Sequence, residues 1–248
     1  MMQRYFAGRE NWNEDRVKIT GPDVHHIRKV MRMAPGDTVI VVHPDKKAFE
    51  AEITEIDEEV YCALKHPLET DPELPQKVTI VQAIGKSDKV EWVVQKGTEL
   101  GMAEMIPFQA GRSVAKWDEK RQQKKVERWN KIAKEAAEQS ERLMIPEVKS
   151  VASLKQVIEW TEGFGHLLFA YENEAREETE SRLSGYIRKV GPGESVCLVI
   201  GPEGGFTPEE VSVLYQASFQ PVRLGRRILR METAALYFLS ALSYEWEE

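Results

Sequence analysis

The spacing of hydrophobic residues changes near residue 70. Before it, short apolar or alternating runs such as Thr38–Val42 and Ala48–Ile53 lie between turn residues, a pattern that is typical of strands in a small barrel. After it, short apolar runs alternate with longer segments of helical spacing, as at 88–100 and 117–142. This alternation predicts an α/β domain with a mostly parallel sheet and helices on both sides.

A linker-like stretch separates the two patterns. Residues 65–76 combine prolines with acidic side chains and contain few apolar groups. We therefore place a domain boundary inside this stretch, so that the chain consists of a first domain of residues 1–70 and a second domain of residues 71–248.

Two glycine-bearing turns in the second domain each connect an apolar run to a segment of helical spacing. The first turn is Gly201–Gly205, and the second begins at Gly225. Glycine has no Cβ atom, so a ligand can lie directly on the backbone of such turns. Thr207 and Glu210 form the sequence signature of a capping box directly after the first turn. A strand, a glycine turn and a capped helix in this order favour a ligand site at the edge of the sheet.

The first glycine turn limits the choice of ligand. It contains neither Gly-Lys-Ser/Thr nor Gly-x-Gly-x-x-Gly, the motifs that bind phosphates. The carboxylate of Glu203 inside the turn would repel a phosphate. We therefore expect a ligand that is neutral or cationic where it meets the backbone. A turn that only joins a strand to a helix is the alternative, and two such turns in succession argue against it.

The charge of the chain leaves RNA binding open. A net charge of −7 over 248 residues argues against a protein that coats nucleic acid non-specifically. The charge is uneven, however, because residues 116–134 hold eight basic and three acidic side chains, and residues 223–230 hold four arginines and no acid. The basic stretch 116–134 lies mostly in the helix expected at 117–142, and it fits an RNA-binding face and a solvated face equally well.

Composition also predicts a cytoplasmic protein without a membrane partner. No apolar stretch approaches the ~20 residues that a membrane span needs, and the N-terminus lacks the apolar core of a signal peptide. Cys62 and Cys197 lie far apart in strand-like runs, which indicates buried thiols in a reducing compartment. The five histidines and two cysteines show no metal-ligand spacing, so we expect no metal.

Five stretches of the sequence carry a family resemblance that spans almost the whole chain. They are His26–Asp37, Lys96–Gly101, Glu138–Arg142, Gly201–Gly205 with its helix start, and Leu224–Ala234. Together they resemble the SPOUT superfamily of methyltransferases. Within it they resemble the RsmE family, bacterial enzymes that methylate N3 of a uridine in 16S ribosomal RNA. The resemblance implies that this chain is such an enzyme.

The resemblance also implies a fold, partners and a cofactor. The first domain would be a PUA-like β-barrel that helps to hold RNA, and the second a SPOUT α/β domain whose C-terminal part forms a trefoil knot. The protein would be a homodimer with its sites at the subunit interface, acting on 16S ribosomal RNA within the small subunit. The cofactor would be S-adenosylmethionine (SAM), held by three loops: Ala170, Tyr171 and Glu172; Gly201, Pro202, Glu203, Gly204 and Gly205; and Leu224, Gly225, Ile228, Leu229, Glu232, Thr233 and Ala234.

Methylation at N3 requires the loss of the weakly acidic N3–H proton of uridine. Arg230 is the first candidate for a catalytic role, because its guanidinium can stabilise the imidate that forms. An ion pair with Glu232 and a contact with the cofactor carboxylate are equally good alternatives for this arginine. Glu203 and Glu232 are candidate bases, and the sequence singles out neither.

Basic and polar side chains in both domains are candidate RNA contacts. Arg28 and Arg32 lie four residues apart in a segment of helical spacing, so they are expected to share a face. The full set of candidates is Arg4, Arg28, Arg32, Lys86, Arg112, Gln139 and Arg142. Two further functions fit the same motifs: a ribose 2′-O-methyltransferase of the same superfamily, and an RNA-binding ribosome assembly factor without catalysis.

Overall fold

The computed structural model describes residues 2–85, 89–113, 117–171 and 182–247. The chain divides into two compact units. The first unit consists of Met1–Glu73 and Ala137–Met144, and the second consists of Leu74–Ala136 and Ile145–Glu248.

A curled five-stranded sheet forms most of the first unit. Its strands are β1 (Arg4–Phe6), β2 (Arg16–Ile19), β3 (Thr38–His43), β4 (Lys47–Ile56) and β5 (Val60–Pro67), and a 3-10 helix at Arg9–Asn11 lies between the first two. The order in the sheet is β1-β3-β4-β5-β2, with β1 parallel to β3 and the other neighbours antiparallel. The sheet packs around buried residues such as Val39, Val41 and Ile53 and forms a half-barrel. The strands predicted at Thr38–Val42 and Ala48–Ile53 are confirmed as β3 and β4, whereas the sequence pattern does not reveal the three-residue β1.

The segment between β2 and β3 is less regular than its spacing predicts. Helix α1 (Pro22–His25) passes into a π-helical turn at His26–Met31. The turn ends at Arg32, whose backbone is left-handed with a φ of 54°. Arg32 therefore lies beyond the end of the helical turn, so the helical spacing that predicts a common face for Arg28 and Arg32 does not extend to it.

The apolar side chains of this segment are only partly buried. Val24 and Ile27 pack into the core of the first unit, whereas 59% of Val30 and 39% of Met31 is exposed. The exposed pair is flanked in sequence by three cations: Arg28, Lys29 and Arg32. This basic turn, residues 28–32, therefore combines apolar and positively charged side chains at the surface of the first unit.

A six-stranded sheet organises the second unit. Its strands are β6 (Lys77–Ala83), β7 (Glu104–Phe108), β8 (Glu147–Val148), β9 (His166–Ala170), β10 (Ser195–Ile200) and β11 (Gln220–Val222). The order is β11-β9-β10-β6-β7-β8, and every pair of neighbours is parallel. The predicted mostly parallel sheet is therefore confirmed.

Helices cover both faces of this sheet, as predicted. They are α2 (Lys89–Glu99), α3 (Glu119–Gln139), α4 (Leu154–Trp160), α5 (Leu183–Ile187), α6 (Pro208–Gln216) and α7 (Met231–Glu247). Helices α2 and α7 pack on the face that carries Ile80 and Leu198, and α4 and α6 pack on the face that carries Val81 and Val199. The sequence pattern missed α4, although Ser153 and Gln156 form a capping box at its start.

Both thiols are buried, as predicted. Cys62 lies in β5 and Cys197 lies in β10, and neither has any exposed surface. Burial raises the pKa of Cys62 to about 12 and also raises the pKa of Cys197. Neither residue therefore supplies a reactive thiolate at neutral pH.

None of the helices that the described residues form is long and apolar enough to cross a bilayer. Within the same residues, no group of three or more His, Cys, Asp and Glu side chains is arranged to hold a metal ion.

Candidate active site

A cleft of about 910 Å³ opens at the carboxyl edge of the parallel sheet in the second unit. Strands β11, β9 and β10 are neighbours and end in one row, because Val222 and Ile200 both lie opposite Ala170. The residues that directly follow these strands, in the described part of the chain, therefore come together at one place. The predicted cofactor residues that line the cleft are Ala170, Tyr171, Gly201, Pro202, Glu203, Gly205, Leu224, Ile228, Leu229 and Ala234.

Other predicted cofactor residues lie beside the cleft instead of in its lining. Gly225 has a φ of 94°, a left-handed conformation that favours glycine, so its part in the third loop is conformational. Three more predicted residues do not line the cleft but are adjacent in sequence to residues that do. They are Gly204, Glu232 and Thr233. Glu172 lies outside the described residues.

The second loop takes its shape from local interactions. Gly205 adopts a φ of 68°, and its N–H donates to the carbonyl of Pro202 at 2.9 Å. A Cβ atom added to Gly201 would lie 3.1 Å from the ring of Phe206, so this glycine permits close packing. The predicted capping box is confirmed, since the Glu210 N–H donates to Thr207 Oγ1 at 3.2 Å and the Thr207 N–H donates to Glu210 Oε2 at 2.8 Å.

The loop after β7 fastens the second loop from the other side. The Gly111 N–H donates to Glu210 Oε1 at 2.7 Å, and Arg112 Nη1 donates to the carbonyl of Gly204 at 3.0 Å. Arg112, a predicted RNA contact, therefore lies in the wall of the cleft. This hydrogen bond places the Arg112 guanidinium next to the glycine-rich backbone. The sequence does not reveal the contact, because Arg112 lies 92 residues before Gly204.

The third loop supplies most of the apolar lining. Leu224 is buried, Leu229 is half-buried and Ile228 is 60% exposed, and Met231 lines the cleft beside them. Arg223 Nε donates to the carbonyl of Gly225 at 3.0 Å and so braces the turn. Apolar walls with a few polar groups are typical of sites for small organic ligands.

Lys89 changes the charge at the second loop, for which the sequence analysis considered only the carboxylate of Glu203. Its Nζ lies 3.1 Å from Glu203 Oε1 and 3.4 Å from Glu232 Oε2, and the side chain lines the cleft. The carboxylate of Glu203 is therefore neutralised and does not by itself repel an anion. Lys89 comes from α2, on the neighbouring strand–helix unit, and sequence reasoning missed it because its partners are far away in the chain.

Arg230 is an exposed arginine in the lining of the cleft. Its carbonyl accepts a hydrogen bond from the Ala234 N–H at 2.8 Å, which begins helix α7. The carboxylate of Glu232 forms an ion pair with Lys89. The alternative role of Arg230 as the ion-pair partner of Glu232 is therefore not supported. The side chain of Arg230 remains at the cleft, where it can meet a bound molecule.

Two predicted RNA contacts are engaged within the first unit. Arg142 is 2% exposed, and its Nε donates to both oxygens of Glu73, at 3.1 and 3.3 Å, while its Nη2 also donates to this carboxylate. Arg4 is 7% exposed, and its Nη1 donates to the carbonyl of Arg142 at 3.1 Å. Both guanidinium groups are buried and have internal partners, so the structure gives no support to Arg4 and Arg142 as RNA contacts, and these two assignments stay predictions.

The remaining RNA candidates are at the surface or outside the described part of the chain. Arg28 and Arg32 are exposed, and Arg28 Nη1 donates to the carbonyl of Asp57 at 2.8 Å. Gln139 is exposed at the end of α3. Lys86 lies outside the described residues.

The fold and the cleft define an α/β domain with a site large enough for a small organic ligand, accompanied by a smaller β domain. Family models match both parts: an RNA methyltransferase domain over residues 72–243 and an RNA methyltransferase PUA domain over residues 19–62. Ribosomal RNA small subunit methyltransferase E of Bacillus subtilis (strain 168) is 43% identical over 99% of this chain and 98% of its own length. The enzyme of the same name from Synechocystis sp. is 30% identical over 98% of this chain and 78% of its own length.

A solved structure agrees with these matches. Ribosomal RNA small subunit methyltransferase E from Neisseria gonorrhoeae, bound to S-adenosylmethionine, superimposes with a TM-score of 0.83 and 27% identity. The match covers 99% of this chain and 98% of that structure. The chain belongs to the ribosomal RNA small subunit methyltransferase E family of RNA methyltransferases.

Proposed function

We propose that this protein uses SAM to methylate N3 of a uridine in 16S ribosomal RNA, without a metal. The observation that carries the proposal is the meeting of the loops after β9, β10 and β11 at one cleft, with Arg230 in its lining. The relatives that share this fold are named as small-subunit methyltransferases, and one of them is bound to SAM.

The residues of the cleft fit SAM in size and chemistry. A volume of about 910 Å³ lies within the range of small-molecule sites. Leu224, Ile228 and Leu229 would enclose the adenine ring, and the bare backbone of Gly201 and Gly205 allows close approach by the rest of the cofactor. Bound SAM supplies the methyl group. The chain must hold the cofactor and the uridine in line and exclude water.

Arg230 would assist the loss of the N3 proton. Deprotonation leaves negative charge on N3 and the neighbouring carbonyl oxygens of the uracil ring, and an arginine fork can donate to such an oxygen. Stabilising this charge lowers the pKa of the N3–H group, so a strong base is not required. Glu203 lies in the cleft, where its carboxylate pairs with Lys89, and we assign the proton to no carboxylate.

The two parts of the chain would share the work. We propose that residues 1–70 form a PUA-like RNA-binding domain and that residues 71–248 form a SPOUT catalytic domain with a trefoil knot. The substrate of the protein would be 16S ribosomal RNA in the small subunit. We therefore propose a cytoplasmic location.

Exposed aromatic side chains in the second unit support a homodimer. Helices α2 and α7 pack against each other, and they carry Trp92, Tyr237 and Tyr244 with 52%, 42% and 72% of their surfaces exposed. Large aromatic residues are enriched at protein interfaces because they bury much surface at a small entropic cost. A second copy of this chain is the partner that we propose for this face.

The product of the reaction tests the proposed function. Small subunits lacking the modification are incubated with the protein and SAM, and the RNA is digested and analysed by mass spectrometry. We expect one added methyl group on the base of a uridine. A methyl group on a ribose would identify a 2′-O-methyltransferase instead, and SAM binding without any methyl transfer to RNA would contradict both reactions.

The basic turn of the first unit should contribute to RNA affinity. Replacing Arg32 by alanine removes an exposed cation, so the affinity for 16S ribosomal RNA should fall by about threefold to tenfold and the salt dependence should lose about one counterion. SAM affinity should not change. The measurement is fluorescence anisotropy with labelled RNA at several salt concentrations.

Arg16 provides the matched control for this measurement. It is an exposed arginine in β2 of the same unit. Arg16→Ala removes the same charge away from the basic turn and should leave RNA affinity nearly unchanged. Equal losses in both variants would show that the first unit attracts RNA only through its net charge.

A further inference from the structure

Lys89 connects two parts of the cleft that are distant in sequence. Its ammonium lies 3.1 Å from Glu203, in the second loop, and 3.4 Å from Glu232, in the first turn of α7. Helix α7 directly follows the third loop, so the position of Glu232 is tied to the path of that loop. One side chain from α2 therefore contacts both the second loop and the helix that follows the third loop.

The three charges are partly shielded from water. The exposed fractions of the side chains are 27% for Lys89, 33% for Glu203 and 17% for Glu232. Oε2 of Glu232 is buried and has no hydrogen bond from any described residue, so its ion-pair contact with Lys89 compensates its charge. Partial burial makes such contacts stronger and less sensitive to salt than pairs on an open surface.

The protonation of Lys89 is secured by its partners. The hydrogen bond to Glu203 raises the pKa of Lys89, and the negative charge of Glu232 raises it further. The side chain is therefore a cation throughout the neutral range.

The backbone at this junction is closely packed. A Cβ atom added to Gly85, just after β6, would lie 2.8 Å from Sδ of Met231 and 3.3 Å from Oε1 of Glu203. The second loop and the start of α7 thus both touch the end of β6. Without the cation, two carboxylates would face each other across this narrow junction and repel.

We propose that Lys89 is a positioning residue that holds the second loop and the start of α7 together and so sets the shape of the SAM site. The role rests on the proposed function, because the ligand whose affinity it controls is SAM. Lys89 also cancels the charge of Glu203, so that the loop does not repel the carboxylate of the cofactor or the phosphates of RNA.

Calorimetric titration with SAM tests this role. Lys89→Met keeps most of the side-chain length but removes the charge, and it should weaken SAM binding by about tenfold, a factor that corresponds to about 1.4 kcal/mol. Lys89→Arg keeps the cation and should bind within about threefold of the unchanged protein. Recovery by arginine would show that charge, not packing, is what the position requires.

Lys18 offers a control with closely similar geometry. It pairs with Glu59 at 2.9 Å, and both side chains are 34% exposed, but the pair lies in the first unit. Lys18→Met should leave SAM affinity unchanged. A thermal unfolding curve of each variant shows whether any change in affinity follows from a loss of folded protein.

A double-variant comparison locates the partner. If Lys89 acts through Glu203, Lys89→Met should cost less affinity in a Glu203→Gln background than in the unchanged protein. SAM affinity equal to that of the unchanged protein in Lys89→Met would overturn the positioning role alone. A failure of the unchanged protein to bind SAM would instead overturn the proposed function itself.

Discussion

Replacing Arg230 by alanine should lower kcat for RNA methylation by about 100-fold to 1000-fold, the usual effect of removing one donor to a developing negative charge. Arg230 is exposed in the lining of the cleft, and the carboxylate of Glu232 is occupied by Lys89. The fold should therefore not depend on the arginine. Single-turnover methylation with saturating SAM and RNA measures the chemical step, and calorimetry measures SAM affinity, which should stay within about twofold.

Arg226 is the matched control for this variant. It is an exposed arginine in the same loop and does not line the cleft. Arg226→Ala should keep kcat nearly unchanged. If Arg230→Ala weakens SAM binding and leaves kcat intact, the arginine instead contacts the carboxylate of the cofactor, the remaining alternative from the sequence.

Replacing Arg142 by methionine should destabilise the first unit by about 3–5 kcal/mol, because it leaves the carboxylate of Glu73 buried without its cation. The side chains of Arg142 and Glu73 are only 3% and 9% exposed. The Leu143 N–H, which donates to Glu73 Oε1 at 2.8 Å, cannot replace the lost charge. Urea unfolding followed by circular dichroism measures the change.

Two comparisons make this result specific. Arg142→Met combined with Glu73→Met removes both charges and should restore part of the lost stability. Arg9 pairs with Asp45 at the surface, with side chains 64% and 51% exposed, and Arg9→Met should change stability little. If Arg142→Met lowers RNA affinity without lowering stability, the guanidinium serves RNA and the buried ion pair is not its main role.

Short-range patterns in the sequence predicted much of the second unit. The capping box of Thr207 and Glu210 joins residues three apart, so the start of α6 follows from the sequence alone. The apolar run before Gly201 indicated a strand, and all residues of β10 from Val196 to Ile200 are buried. The start of α4 is also predictable from the sequence, because Ser153 and Gln156 form a capping box of the same kind.

The family resemblance contributed what periodicity could not. Strand order is not written in hydrophobic spacing, and the row formed by Ala170, Ile200 and Val222 depends on that order. The motifs around Gly201 and Gly225 indicated that both loops belong to one site, although they say nothing about the order of the strands. The position of those loops around a single cleft then follows from the parallel sheet.

The sequence by itself determined the α/β character of the second unit, the capped start of α6, the burial of both thiols and the family to which the chain belongs. Only the tertiary structure decided which charges meet: Lys89 reaches Glu203 across 114 positions, and Arg142 reaches Glu73 across 69. It also decided that residues 26–31 form a π-helical turn. The physical reason is range, since local spacing governs contacts within a turn or two, whereas these pairings depend on how distant segments pack together.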